Sequence, residues 1–132
     1  HIAALKNGGK TIAVIGTGLD VNYPRENAQL QNYIATNQLL LTEYGPGQKP
    51  LKYHFPERNR IIAGLSRGVL VTEAKSRSGS LITCERAMEE GRDVFAIPGN
   101  ITDNLSDGCH FLIQEGAKLV YHGRDILMEY DR

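Results

Sequence analysis

Short apolar runs rich in β-branched residues recur at roughly even intervals along this chain, and they limit the folds open to it. "TIAVIG" (11–16), "LLLTE" (39–43), "GVLVTEA" (68–74), "DVFAIP" (93–98) and "AKLV" (117–120) read as strands. Between the first two, residues 25–37 carry Ala28, Tyr33, Ile34 and Ala35 among polar neighbours, the pattern of a helix. Further helices are expected from near Pro56, with proline in the first turn, over 80–90 and 107–115, and in the closing "RDILMEY". Parallel strands need crossover connections, which are usually helices, and near-continuous apolar strands suit a sheet covered on both faces. The expected fold class is therefore α/β: an open, mainly parallel sheet with helices on both faces, an extended Rossmann-like fold. A length of 132 residues suits one domain over 1–132. The opening "HIAALKNGG" reads as the tail of a helix closed by glycines, which suggests a fragment of a longer chain.

The charges narrow the function classes. Fifteen basic residues balance fifteen acidic ones, so any polyanion partner must be met by a local basic patch. No apolar run is long enough to cross a bilayer, and no membrane role is expected. Cys84 and Cys109 lack the spacing of a zinc knuckle or redox pair, and no secretory signal precedes them. They read as reduced, packed cysteines of a cytoplasmic protein.

In parallel sheets of this kind ligands bind beyond the carboxyl ends of the strands. "GTGLD" after the first strand supplies Gly16 and Gly18, but a dinucleotide fingerprint needs a third glycine where Val21 stands. The pair reads as a tight turn, with Asp20 bonding neighbouring amides, and no cofactor is expected.

"LKYHFPERNRIIAGL" (51–65) is richer. At about 100° per residue, Ile61, Ile62 and Leu65 form a buried stripe, and Arg58 lies in its centre one turn earlier. Arg58 then overhangs the carboxyl edge of the sheet, Arg60 lies opposite, and Asn59 falls between them. A cation over a helix's first turn opposes the dipole and calls for an anion, either Glu43 or Glu73 or a ligand phosphate. Lys52, Tyr53, His54 and Phe55 precede the helix in a loop. Rings interleaved with cations are what single-stranded nucleic acid uses, bases stacking while phosphates meet charge. Phe55 alternatively staples the helix beside Pro56.

"EAKSRSGSLIT" (73–83) adds Lys75 and Arg77 before a small-residue helix start at Ser78, Gly79 and Ser80. Free amides there make an anion site, although Ser78 or Ser80 also fits a plain N-cap. The stretch is not a Walker loop. "IPGNITDNLSDGCH" (97–110) offers Ser106 as a cap and no chemistry; neither catalytic nor metal-ligand spacing is present.

The ordered series "FPERNRIIAGLS", "VTEA", "SGSLIT", "GRDVFAIPG" and "LIQEGAKLV" resembles the DNA-processing protein A family, also called Smf, along almost the whole chain. The resemblance implies a bacterial cytoplasmic protein with an extended Rossmann fold. Such proteins bind single-stranded DNA, form homodimers, help load a RecA-type recombinase during natural transformation, and are not known as enzymes. It implies DNA contacts at Lys52 and Phe55, just before the arginine pair Arg58 and Arg60, and the helix reading above adds Asn59 to the expected contacts. Lys75 and Arg77 would extend the track, and the Ser78, Gly79 and Ser80 amides would add an anion site. The family's core starts earlier, so a phosphate-binding arginine and two strands are expected to lie outside this sequence. His110 stands where many members carry asparagine. Dimerisation would use the helix of Phe111, Leu112 and Ile113 and the segment of Ile126, Leu127 and Met128, unless these are ordinary core. A rival is the lysine-decarboxylase-like nucleotide N-glycosidase group, whose paired glycines "SRSGSLIT" lacks. A third reading is a nucleotide-binding or oligomerising module.

Overall fold

The computed structural model describes residues 1–131, which divide into two compact units, His1–Ile61 and a second from Ile62 onward. The boundary falls inside a helix rather than in a linker.

The first unit opens with α1 (Ile2–Lys6), which ends before Gly8 at φ +74°, as the glycines foretell. β1 (Ile12–Val14) pairs in parallel with β2 (Leu39–Leu41), Ile12 opposite Leu39 and Val14 opposite Leu41. The crossover is a 3-10 turn (Arg25–Asn27) running into α2 (Ala28–Asn37), which buries Ile34 and Gln31. Gln31 is tied down by donating from Nε2 to the Val21 carbonyl at 2.9 Å. α3 (His54–Leu65) follows the glycine-rich loop.

In the second unit β3 (Gly68–Val71), β4 (Asp93–Ala96) and β5 (Lys118–Leu119) form a parallel sheet in the order β3-β4-β5. Val71 stands opposite Ala96, and Ala96 opposite Leu119. α4 (Gly79–Glu89) and α5 (Asp107–Gln114) connect these strands and pack on β4 and on each other. Their core holds Val71, Ala74, Leu81, Cys84, Ala87, Val94, Ala96, Cys109 and Leu112. α6 (Gly123–Tyr130) closes the described chain through a capping box between His122 and Asp125.

Several expectations need correction. The strands are shorter than the apolar runs, and they form two ladders, one within each unit. Ile12, Leu39, Leu70 and Leu119 on these strands remain 42–49% exposed. On α3 the stripe is displaced: Ala63 is buried, Ile61 half-buried, while Ile62 and Leu65 are 39% and 58% exposed. Side-chain size suggested the larger residues, whereas the packed line runs through His54, Arg58 and Ile61 at helical spacing. His54 and Phe55 belong to α3 itself, because the helix starts two residues ahead of Pro56, where a missing N–H costs nothing. α4 likewise begins at Gly79, capped by Ser78.

Candidate functional site

The carboxyl end of β1 continues into Gly16, Thr17 and Gly18, and the loop after β2 is laid against it. The Gly18 amide donates to the Gln48 carbonyl at 3.0 Å, and Asp20 Oδ1 accepts from the Gly47 amide at 2.8 Å. A Cβ on Gly18 would lie 2.5 Å from the Gly45 carbonyl oxygen, so backbone meets backbone there. The glycine pair is thus a structural turn and Asp20 its clamp, as the spacing suggests.

Upon this turn sits the entrance of α3. His54 is fully buried, its Nδ1 2.8 Å from the Gly16 carbonyl oxygen and its ring stacked on Tyr44 at 3.9 Å between centroids. Tyr44 donates to Glu57 at 2.6 Å; burial, then this carboxylate, push its hydroxyl up to about 12. The Phe55 ring packs over Gly16, half-buried, with Tyr23 tilted beside it at 5.8 Å.

Arg58 is where the periodicity put it, at the carboxyl end of β1. Its Nη1 donates to the Val14 carbonyl at 2.8 Å, its Nε to Asn59 Oδ1 at 3.0 Å, and its guanidinium lies 5.5 Å from the Phe55 centroid. Burial lowers its pKa. Among the described residues no carboxylate forms an ion pair with it, and Glu43 pairs instead with Arg60 at 2.5 Å. Arg58 is therefore partly neutralised by carbonyl dipoles, and Asn59 acts as its brace. Lys52 is exposed and makes no hydrogen bond or ion pair among the described residues.

In the second unit the corresponding strand-end loop follows β3. Ser78 caps α4 by accepting from the Leu81 amide at 3.2 Å, which settles its local role. The preceding turn closes from the Ser78 amide to the Lys75 carbonyl at 3.3 Å and holds Arg77 at φ +61°. That conformation costs a non-glycine residue on the order of 1 kcal/mol. Lys75 and Arg77 are both exposed, as is Ser80, and Gly79 is half-buried. The loop after β4 is fastened to the same region, since the Ala74 amide donates to the Leu105 carbonyl at 2.8 Å and Gly108 donates to that of Ala74 at 2.7 Å. His110 has a definite job, its Nε2 accepting from the Gly99 amide at 3.1 Å.

The predicted residues thus form two groups. Lys52, Phe55, Arg58, Asn59 and Arg60 share one helix entrance; Lys75, Arg77, Ser78, Gly79 and Ser80 share another. Sequence reasoning missed Tyr23, a residue 48% exposed whose ring lies beside Phe55. Only the Tyr-Pro dipeptide marked its segment as a turn.

Comparison with known proteins decides the family. A model of the DNA recombination-mediator protein A family matches residues 1–131. The chain belongs to that family. It is 75% identical over 131 residues to the DNA processing protein DprA of Streptococcus pneumoniae, and 50% identical over 129 residues to that of Bacillus subtilis. Those stretches cover 99% and 98% of this chain but 46% and 43% of the relatives, so it spans about half their length. The crystal structure of the S. pneumoniae DprA superposes with a TM-score of 0.93 at 76% identity, covering 98% of this chain and 46% of that one. A DNA processing protein A structure from Helicobacter pylori matches with a TM-score of 0.79 at 30% identity, covering 91% and 55%. That second study concerns the H. pylori protein's single-stranded DNA binding mode. The Rossmann-like fold class is thereby established for this chain. Among its described residues no helix is long and apolar enough to cross a membrane, and no group of three His, Cys, Asp or Glu is placed to hold a metal.

Proposed function

We propose that this chain is the single-strand-binding part of a recombination mediator that acts in the cytoplasm, without a reaction of its own, and passes DNA to a RecA-type recombinase as a homodimer. One observation carries the reading: the α3 entrance presents an unpaired Lys52 beside a Phe55–Tyr23 ring pair, with a half-buried Arg58 lacking a carboxylate partner. A strand supplies what that arrangement lacks, phosphate for Lys52 and Arg58 and a base face for the rings. Family membership and the H. pylori relative support the same partner. Arg60 is engaged by Glu43 and must exchange a carboxylate for a phosphate, so it contributes less than Lys52. Lys75, Arg77 and the Ser78–Ser80 amides serve as a second group of phosphate contacts. Exposed Leu127 and Met128, with half-buried Ile113 and Ile126, are the residues available for dimerisation, because Leu112 is fully buried in the core.

The test is fluorescence anisotropy of labelled oligo-dT across a salt series. Four phosphate contacts, at Lys52, Arg58, Lys75 and Arg77, give a log-log slope of about −3, from roughly 0.7 per contact on single strands. Lys52→Ala should lower the slope by one such step, and Phe55→Ala should weaken ordinary strands more than abasic ones. A slope unchanged in the lysine variant would remove it from the track.

A further inference from the structure

Between α4 and α5 the second unit carries an apolar pocket of about 340 Å³. Leu81, Ile82 and Phe111 form its walls, with Ser76 and Arg77 on the loop side and Glu85 on α4. Ile82 and Phe111 are 49% and 38% exposed, so the pocket opens to solvent through apolar groups that have no described neighbour to cover them. On its rim Arg77 and, in the same turn, Lys75 are exposed cations that make no ion pair among the described residues. Arg77, which lines the pocket, is also the non-glycine residue that the described backbone holds at positive φ, at a cost in backbone energy.

We infer that this pocket seats one base of a bound single strand, with the flanking phosphates on Arg77 and Lys75. The inference rests on the strand-binding reading above and adds to it a second base site, remote in sequence from Phe55. The charges favour this occupant. Cations at the mouth attract phosphate, while the Glu85 carboxylate in the lining repels it, so the uncharged part of a nucleotide enters and the charged part stays outside. A base brings a flat apolar face for Leu81, Ile82 and Phe111. Glu73 on the same loop is exposed, and with Glu85 it balances the two cations in number, so what orders a nucleotide here is the separation of charge, cations at the mouth and a carboxylate in the lining.

The experiment compares an ordinary oligonucleotide with an abasic one of equal length, using the full chain and the variants Ile82→Ser, Phe111→Ala and Phe55→Ala. Ile82 and Phe111 stand on opposite helices, and both changes leave the charge untouched. Thermal melting verifies that each variant folds. The expected result is about fivefold or greater weakening on the ordinary strand in both pocket variants, from the lower end of the stacking range, with abasic binding unchanged. Equal loss on both strands, or no loss on either, overturns the pocket. So does a change in sedimentation with strand binding intact, which would make the groove a protein contact. If the wild-type chain binds neither strand, the strand-binding reading itself fails. If wild type binds and only Phe55→Ala loses affinity, that reading stands and the pocket alone is refuted.

Discussion

His54 shows how one side chain fixes a helix entrance. Its ring lies fully buried between the Gly16 carbonyl and the Tyr44 ring, so His54→Ala removes a buried hydrogen bond and leaves a carbonyl without a donor. A loss of about 1–3 kcal/mol is expected, read as a lowered urea midpoint at constant slope. Nothing in the sequence marks this histidine as buried, because its partner lies 38 residues away and becomes visible only in the folded chain. Arg58 was legible, since helical periodicity alone places it over the strand end. Its freedom from Glu43 was not, because that depends on which of two nearby cations the carboxylate reaches. Tyr44 gives the pH test. Its folded pKa of about 12 exceeds the unfolded value near 10, so its contribution is complete below pH 10 and is lost as pH rises through 12. Tyr44→Phe should lose less stability than wild type between pH 10 and 12 in denaturant titrations; parallel curves would remove the tyrosine as the cause.

At the level of elements, the first turn of α5 is set against the loop after β3. A Cβ on Gly108 would come within 2.6 Å of the Ala74 carbonyl oxygen and 2.7 Å of its Cβ. Gly108→Ala must therefore push α5 away from β3, at about 1–3 kcal/mol, while disturbing the loop that carries Lys75 and Arg77. A lower melting temperature is expected, and with it weaker strand binding if the proposed contacts at Lys75 and Arg77 are made. A variant with unchanged melting would contradict the packing. The order of strands and helices was readable because parallel sheets impose uninterrupted apolar runs and crossover helices impose a different period. Element ends were less so. After Leu41 the run continues with Thr42, whose hydroxyl donates to the Thr17 carbonyl at 2.6 Å, so side-chain bonding replaces the ladder there. The end of the α3 stripe was misread for a related reason: Ala63 reaches the core where the larger Leu65 was expected, and hydrophobic size does not reveal helix phase.

For the molecule as a whole, zero net charge hides a local surplus at two helix entrances, which is why composition alone said so little about partners. Cys84 and Cys109 lie in the core of the second unit, and burial holds the Cys84 thiol up to about 11 and pushes that of Cys109 upward as well. Neither thiolate forms readily in the native state, so both should react with a thiol reagent only as fast as that unit unfolds; stoichiometric reaction in native buffer would contradict their burial. The family and fold class could be read from ordered motifs, whereas the division into units could not, because no change of composition marks it. That division runs through α3, between Ile61 and Ile62. Domain borders ordinarily offer exposed linkers to proteases, and a hydrogen-bonded helix does not. Limited digestion will therefore cut first at exposed stretches such as 45–49 or 99–105, and the fragments it releases will not correspond to the units.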